Sequence, residues 1–343
     1  MKPPPLLIVD NVSVEFAARG RAPLGLGRRV LRAVNGVTLE VCAGEALGLV
    51  GESGSGKSTL GRAILGLEPV AGGMVTFDGM RVSDGRATDI ARLRRETAMV
   101  FQDPYGSLNP RMTARDAIAE VLRVHHLVPP GDIPARVDAL LTTVGLRPEL
   151  GARKPSSLSG GQCQRVGVAR ALAVDPRLVI ADECVAALDV SIQGQIINLF
   201  MDLRETLDLA LIFIAHDLAI VRCLCDRIAV MYLGRIVEDG PTEAVFRDPR
   251  HPYTQALIAA IPEIDPDMPL PANPLAGNPP GRMAHPAGCT FHPRCAQAQA
   301  VCREGPPPAA RHSPGRRWTC ILDPEATPPR VTHPTQPEKE LTP

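Results

Sequence analysis

The sequence predicts an α/β fold followed by a small irregular, cysteine-containing extension, and three observations carry that prediction. Short apolar runs alternate with longer mixed segments over the first 245 residues, the pattern of strands and helices packed around a sheet. Two of those runs, LVIADE (178–183) and ALIFIAHD (210–217), are continuously apolar and end abruptly in polar residues, as buried parallel strands do. Beyond about residue 245 the composition breaks. Of 35 prolines, 19 lie between Pro262 and the C-terminus, and four of the nine cysteines (Cys289, Cys295, Cys302, Cys320) fall in the same stretch.

Taken in order, LLIVDNVSVEF (6–16) alternates and reads as an edge strand, and residues 17–30 form an arginine- and glycine-rich insertion without a readable path. VTLEVCAGEALGLVG (37–51) reads as strand, turn and buried strand. Residues 112–150 show helical periodicity and no strand, which implies a helical insertion spanning about 104–165. IAVMYLGRIVEDG (228–240) alternates about Gly234 as a hairpin, and HPYTQALIAAIP (251–262) reads as one helix. The expected organisation is a catalytic domain over 1–245, an extension over 246–323 and a disordered tail over 324–343.

Composition excludes several functions. With 37 basic against 37 acidic side chains the chain lacks the positive excess of a nucleic-acid binder. It also lacks an apolar stretch of about 18 residues or more, so no helix is expected to span a bilayer, and its start lacks a secretory core. The expected location is cytoplasmic.

GESGSGKST (Gly51–Thr59) follows the apolar run ALGLV and precedes the helical run LGRAILGL. It satisfies G-x-x-x-x-G-K-[ST], the phosphate loop of P-loop nucleotide hydrolases. Glycines let the backbone turn its N–H groups around a polyphosphate, and the next helix adds its positive end. Gly51, Ser53, Gly54, Ser55 and Gly56 form the cradle, Lys57 meets the β- and γ-phosphates, Ser58 offers a hydroxyl to Mg²⁺, and Thr59 steadies the α-phosphate region. LVIADE supplies the second half of such a site: Asp182 for the metal's shell and Glu183 as the base for an attacking water.

Between these motifs lies LSGGQCQR (158–165), a second anion cradle opening a helix. Together, GESGSGKST, LSGGQ, LVIADE and IAH resemble the ATP-binding cassette family over residues 5–245. The resemblance implies a RecA-like core with a helical subdomain, ATP and Mg²⁺ as cofactors, and head-to-tail dimers. In such a dimer Ser159, Gly160, Gly161 and Gln162 reach the nucleotide of the partner cassette. It further implies Gln102 as the Q-loop glutamine near Mg²⁺ and water, His216 as the switch histidine at the γ-phosphate, Asp189 at the dimer interface and Phe16 stacking on adenine. Cys184 and Ala186 depart from the family's usual Pro and Ser without removing a group that does chemistry.

FQDPYGSLNPRMT (101–113), ALDVSIQGQIINL (187–199) and HPYTQALIAAIP resemble the oligopeptide and dipeptide importer branch, and STLGRAIL (58–65) after the phosphate loop is closer to its F-type subunit. That implies an ATPase working with a D-type cassette, two transmembrane permease subunits and, indirectly, an extracytoplasmic peptide-binding protein, at the cytoplasmic face of the inner membrane. The permease contact is expected around Tyr105 to Arg111. Importers of nickel or glutathione share these features, and a soluble cassette ATPase is a third reading. Cys289-x₅-Cys295-x₆-Cys302-x₁₇-Cys320 lacks zinc-ribbon spacing, but four thiolates suit either zinc or an iron–sulfur cluster. The resemblance favours [4Fe–4S] over zinc, with unligated thiols as the plain alternative and His285, His292 and His312 as substitute ligands.

Overall fold

The computed structural model describes residues 4–21, 28–261, 286–305 and 308–322, with the side chains of 18–29 left aside. Readings that concern residues 262–285, His285 among them, and the tail 324–343 lie outside the described residues.

In chain order the elements are β1 (Leu7–Arg21), β2 (Arg28–Val41), β3 (Ala46–Val50), α1 (Lys57–Ile64), β4 (Gly72–Phe77), β5 (Met80–Arg81), α2 (Ala87–Glu96) and β6 (Thr97–Val100). Three helices then come together: α3 (Ala114–Val124), α4 (Ile133–Thr143) and α5 (Gly160–Leu172). After them the chain alternates through β7 (Leu178–Asp182), α6 (Val190–Leu207), β8 (Ala210–Ala215), α7 (Leu218–Leu224), β9 (Arg227–Tyr232) and β10 (Arg235–Pro241). It ends with α8 (Thr242–Arg247), α9 (Pro252–Ala259), β11 (Arg311–Ser313) and β12 (Arg316–Trp318).

Two sheets result. One is antiparallel in the order β2-β1-β4-β5, and the other runs β11-β12-β10-β9-β3-β8-β7-β6 with a parallel centre from β9 to β6. The first strand is therefore interior rather than the expected edge strand, because β2 and β4 pair on its two sides. Its pairing with β2 continues through Phe16–Leu31 to Arg21–Arg28, so the insertion that sequence could not trace starts and ends as a strand ribbon.

Every residue of β3, β7 and β8 is buried, which is why these runs lack a polar face. Strand alternation still divides them between two cores. Leu178, Ile180, Ile212 and Ile214 join Leu60 and Ile64 of α1 and the antiparallel sheet. Val179, Ala181, Leu211 and Phe213 join Ile118, Leu140, Val166, Phe200 and Val221 from α3 to α7. The ends of β3 and β7 thus open into one edge of the sheet, where parallel α/β sheets bind ligands.

The extension is less irregular than expected: β11 and β12 form a hairpin that lengthens the main sheet beside β10. Fully buried Glu238 of β10 anchors it, accepting from the Arg316 guanidinium at 2.6 Å and from the N–H groups of Arg250 and His251 at 2.9 Å each. A buried carboxylate requires this degree of pairing. Phe291 adds an aromatic wedge, with ring centroids 5.3 Å from both Tyr232 and Tyr253 and 5.8 Å from His251.

Candidate nucleotide site

The loop between β3 and α1 takes its shape from two glycines. Gly51 and Gly56 have φ of +150° and +107°, and a Cβ at either would lie 2.1 Å from Met231 O or 2.3 Å from Ala33 O. Only glycine combines those angles with that approach. Gly56 is also the N-cap of α1 and supplies no side-chain cap, so the helix's first N–H groups face the loop without side-chain competition for an anion.

Inside the loop the Lys57 ammonium, 4% exposed, donates to Gly51 O at 2.8 Å and Glu52 O at 3.1 Å and stands 3.9 Å from the Glu183 carboxylate. Burial lowers its pKa, opposed by Glu183, Asp182 and Glu52. Ser58 Oγ donates to Asp182 Oδ1 at 2.7 Å. Burial pushes the Asp182 carboxyl up, with the Ser58 bond opposing and the Glu183 charge adding to the rise. The two adjacent carboxylates face Lys57, the Arg62 charge also reaches Asp182, and the carboxylates together offer oxygen donors to a hard cation. Their oxygens suit Mg²⁺, which takes one or two protein ligands and completes its shell with phosphate and water. The Ser55 hydroxyl is buried, has no hydrogen-bond partner among the described residues and does not line the cleft.

Glu183 sits at φ +46°, a left-handed conformation that costs a non-glycine residue about 1–3 kcal/mol. Its N–H donates to Ile214 O at 2.9 Å, and Gln102 Nε2 donates to its carboxylate at 3.0 Å. The strain turns the carboxylate off the end of β7 toward Lys57. The cleft so formed holds ≈ 410 Å³ and is lined by Phe16, Ser53, Gly54, Gly56, Lys57, Ser58, Thr59, Gln102 and Glu183. That volume falls within the roughly 300–1,000 Å³ of small-molecule sites.

Two charged lining residues escaped sequence reading. Arg62 stands at i+4 from Ser58 on α1, a spacing that could have flagged it, whereas Arg32 depends on the β1–β2 register, which places it opposite Glu15 at 2.6 Å.

Other expected residues lie apart from this cleft. Ser159 caps α5, accepting from Gln162 N–H at 3.3 Å while Gln162 Oε1 accepts from Ser159 N–H at 3.0 Å. Gly161 is where α5 meets α6: a Cβ there would stand 2.5 Å from Ile192, and one at Gly160 would stand 3.3 Å from Leu188. Asp189 precedes α6 and is exposed, as is His216 after β8. None of Ser159, Gly160, Gly161, Gln162, Asp189 or His216 lines the cleft.

Cys289, Cys295, Cys302 and Cys320 come together around a second, far smaller cavity of ≈ 10 Å³, shared with His251 and His292. All four are free thiols. Burial raises the thiols of Cys289, Cys295 and Cys320, the last to about 11. Among the described residues, no three His, Cys, Asp or Glu side chains stand in a metal-holding arrangement. The donor set is therefore right in number and softness for a Cys₄ site, while the space between the thiols is smaller than a cluster requires. His312, in exposed β11, does not line this cavity.

Comparison with known proteins is consistent with both regions. Residues 34–186 match the family model described as ABC transporter, and residues 237–302 match that described as oligopeptide/dipeptide transporter, C-terminal region. The chain is 49% identical over 291 residues to a probable peptide ABC transporter ATP-binding protein of Sinorhizobium fredii, covering 85% of this chain and 82% of that one. It is 51% identical over 270 residues to the glutathione import ATP-binding protein of Escherichia coli, covering 78% of this chain and 43% of that longer one. Among solved structures, a dimeric ATP-binding cassette in a post-hydrolysis state with ADP and Pi superimposes with a TM-score of 0.61 at 28% identity, covering 69% of this chain and 98% of that one. No helix among the described residues is long and apolar enough to cross a membrane.

Proposed function

The chain belongs to the ATP-binding cassette transporter family and is an ATPase, and on that premise we propose that it powers the import of di- and oligopeptides through a membrane transporter. The observation that carries this reading is the union, in one chain, of the phosphate-loop cleft with an extension of the oligopeptide/dipeptide transporter type. Its proposed partners are a second cassette of the D type and two transmembrane permease subunits, with an extracytoplasmic peptide-binding protein acting through them. It would sit at the cytoplasmic face of the inner membrane. Glutathione import is the second reading, favoured by the 51% identity to the Escherichia coli protein.

In the proposed mechanism the loop N–H groups and Lys57 bind the ATP phosphates, Lys57 leaving the Gly51 and Glu52 carbonyls to do so. Ser58 and Asp182, with Gln102 nearby, would hold Mg²⁺, which supplies neutralisation of the phosphate oxygens. Glu183 accepts the proton of the water that attacks the γ-phosphorus, giving ADP and inorganic phosphate. Gln102 orients Glu183 in the resting chain and is freed to meet the water. Ser159, Gly160, Gly161 and Gln162, together with Asp189, would close the partner's site, and His216 would reach the γ-phosphate only on closure. The cysteine quartet, too tight as it stands for [4Fe–4S], is proposed to hold zinc, the alternative, and no step of hydrolysis runs through it.

Uptake of a labelled peptide by cells lacking this chain tests the reading. Wild type should restore uptake and Lys57→Ala should not. If wild type restores glutathione uptake but no peptide uptake, the cargo assignment is overturned.

A further inference from the structure

Glu52, the second residue of the phosphate loop, is held from two sides by the C-terminal segment. Its N–H donates to Tyr253 Oη at 2.8 Å, and its carboxylate takes two parallel bonds from Arg294, at 2.7 and 2.9 Å. The arginine is 5% exposed and the glutamate 26%, so the pair is largely shielded from solvent, and the two-pronged geometry fixes direction as well as distance. The Glu52 carbonyl faces the loop itself, accepting from Lys57 Nζ at 3.1 Å and from Ser55 N–H at 3.1 Å. One residue therefore links the phosphate-binding lysine to the extension. Arg294 directly precedes Cys295, and Phe291, wedged between Tyr232 and Tyr253, stands two residues after Cys289. Both anchors of Glu52 thus depend on how the cysteine pocket is packed.

We propose that Arg294 is a positioning residue for nucleotide binding: by neutralising and orienting Glu52 it holds the phosphate loop in shape, and it makes nucleotide affinity respond to the packing of the cysteine pocket. The inference rests on the reading of this loop as the nucleotide site. The electrostatic reason is direct. Glu52 does not line the cleft itself, but its charge is felt at Lys57, and an unpaired carboxylate there would oppose a polyphosphate held by the loop unless an adjacent cation cancels it. Lys57 cannot serve both, because it must leave the Glu52 carbonyl for the phosphates. Arg294 supplies the second cation and keeps Glu52 in place while Lys57 moves. Coupling between two sites is reciprocal, so nucleotide must in turn tighten the pocket.

The test uses the full-length chain with Mg²⁺-ADP as probe. Arg294→Gln should weaken ADP binding roughly fivefold or more, the lower end of site-to-site coupling. Glu52→Gln removes the repelling charge itself, so adding it to Arg294→Gln should recover most of the lost affinity, a rescue that a purely structural role for Arg294 would not give. Amide exchange supplies a second readout: Mg²⁺-ADP should slow exchange at Gly288 and Cys289, whose N–H groups bond Gly305 O at 3.0 Å and Cys302 O at 2.9 Å, in wild type and not in Arg294→Gln. Should Arg294→Gln unfold the extension, the exchange response of wild type and of Glu52→Gln still decides: a response equal in both overturns the coupling. Unchanged affinity in Arg294→Gln, or absence of rescue in a folded double variant, overturns the proposal. Failure of wild type to bind ADP, with Lys57→Ala indistinguishable from it, would instead sink the nucleotide-site reading.

Discussion

The phosphate loop and the cysteine pocket meet at the Glu52–Arg294 pair yet are built by opposite means. The loop is a backbone device. Its cavity exists because two glycines adopt angles and approaches closed to other residues, and the groups offered to a ligand are largely N–H groups and one lysine. The pocket is a side-chain device: four thiols from Cys289 to Cys320 converge only because β12 pairs with β10 and Phe291 packs on Tyr232 and Tyr253. A backbone site carries its shape in local spacing and is ready before its ligand arrives. A side-chain site takes its shape from the tertiary fold, and burial raises three of its four thiols, which works against the thiolates that a metal needs as ligands.

The largest expected effect separates chemistry from binding within the loop's own cleft. Glu183→Gln keeps the side chain's size and its bond to Gln102 but cannot take a proton, so ATP turnover in the assembled transporter should fall by roughly 10²–10⁴-fold, the range for a lost general base. Equilibrium binding of Mg²⁺-ATP should persist. Substantial residual hydrolysis would mean that Glu183 is not the base.

Next come two substitutions that set backbone design against side-chain design. Gly56→Ala forces a residue at φ +107° and drives its Cβ to 2.3 Å from Ala33 O, so the fold should lose roughly 3 kcal/mol and the loop its affinity for nucleotide. Cys295→Ser is a near-isosteric change at a half-buried position, and it should cost the fold only about 1 kcal/mol. It should nonetheless abolish metal uptake by the quartet, read as iron and sulfide or zinc per chain after anaerobic purification. Urea denaturation of both variants checks the contrast. Equal destabilisation would show that the two sites are not built so differently.

Legibility in the sequence follows the same division. The buried strands, the loop and its lysine, the Asp182–Glu183 strand end and the helical insertion were readable because each rests on local spacing or on continuous burial. The interior position of β1 was not readable, since alternation alone does not say whether one neighbour pairs or two. Neither was the β11–β12 hairpin: its strands are three residues each, too short for periodicity, and they are held by Glu238 and Arg316, which lie far apart in sequence. The strain at Glu183 left no trace in sequence either, because nothing in a glutamate's identity marks a left-handed φ.

The smallest expected effect concerns the aromatic side chain that the cleft offers to a base. Phe16 lines the cleft from β1, opposite Leu31 in β2, on the antiparallel sheet rather than on the strands that carry the phosphate chemistry. If the phosphates are held by the loop and only the base by Phe16, then Phe16→Ala should weaken ATP by about 1 kcal/mol, roughly fivefold, through lost aromatic contact. Inorganic tripolyphosphate has no ring to stack, so its binding should be unchanged by the same substitution. Competition titrations of both ligands against wild type and variant separate the two contributions. An equal loss for ATP and tripolyphosphate would mean that Phe16 supports the loop's shape, and the division of labour between backbone and side chain would then fail inside the cleft itself.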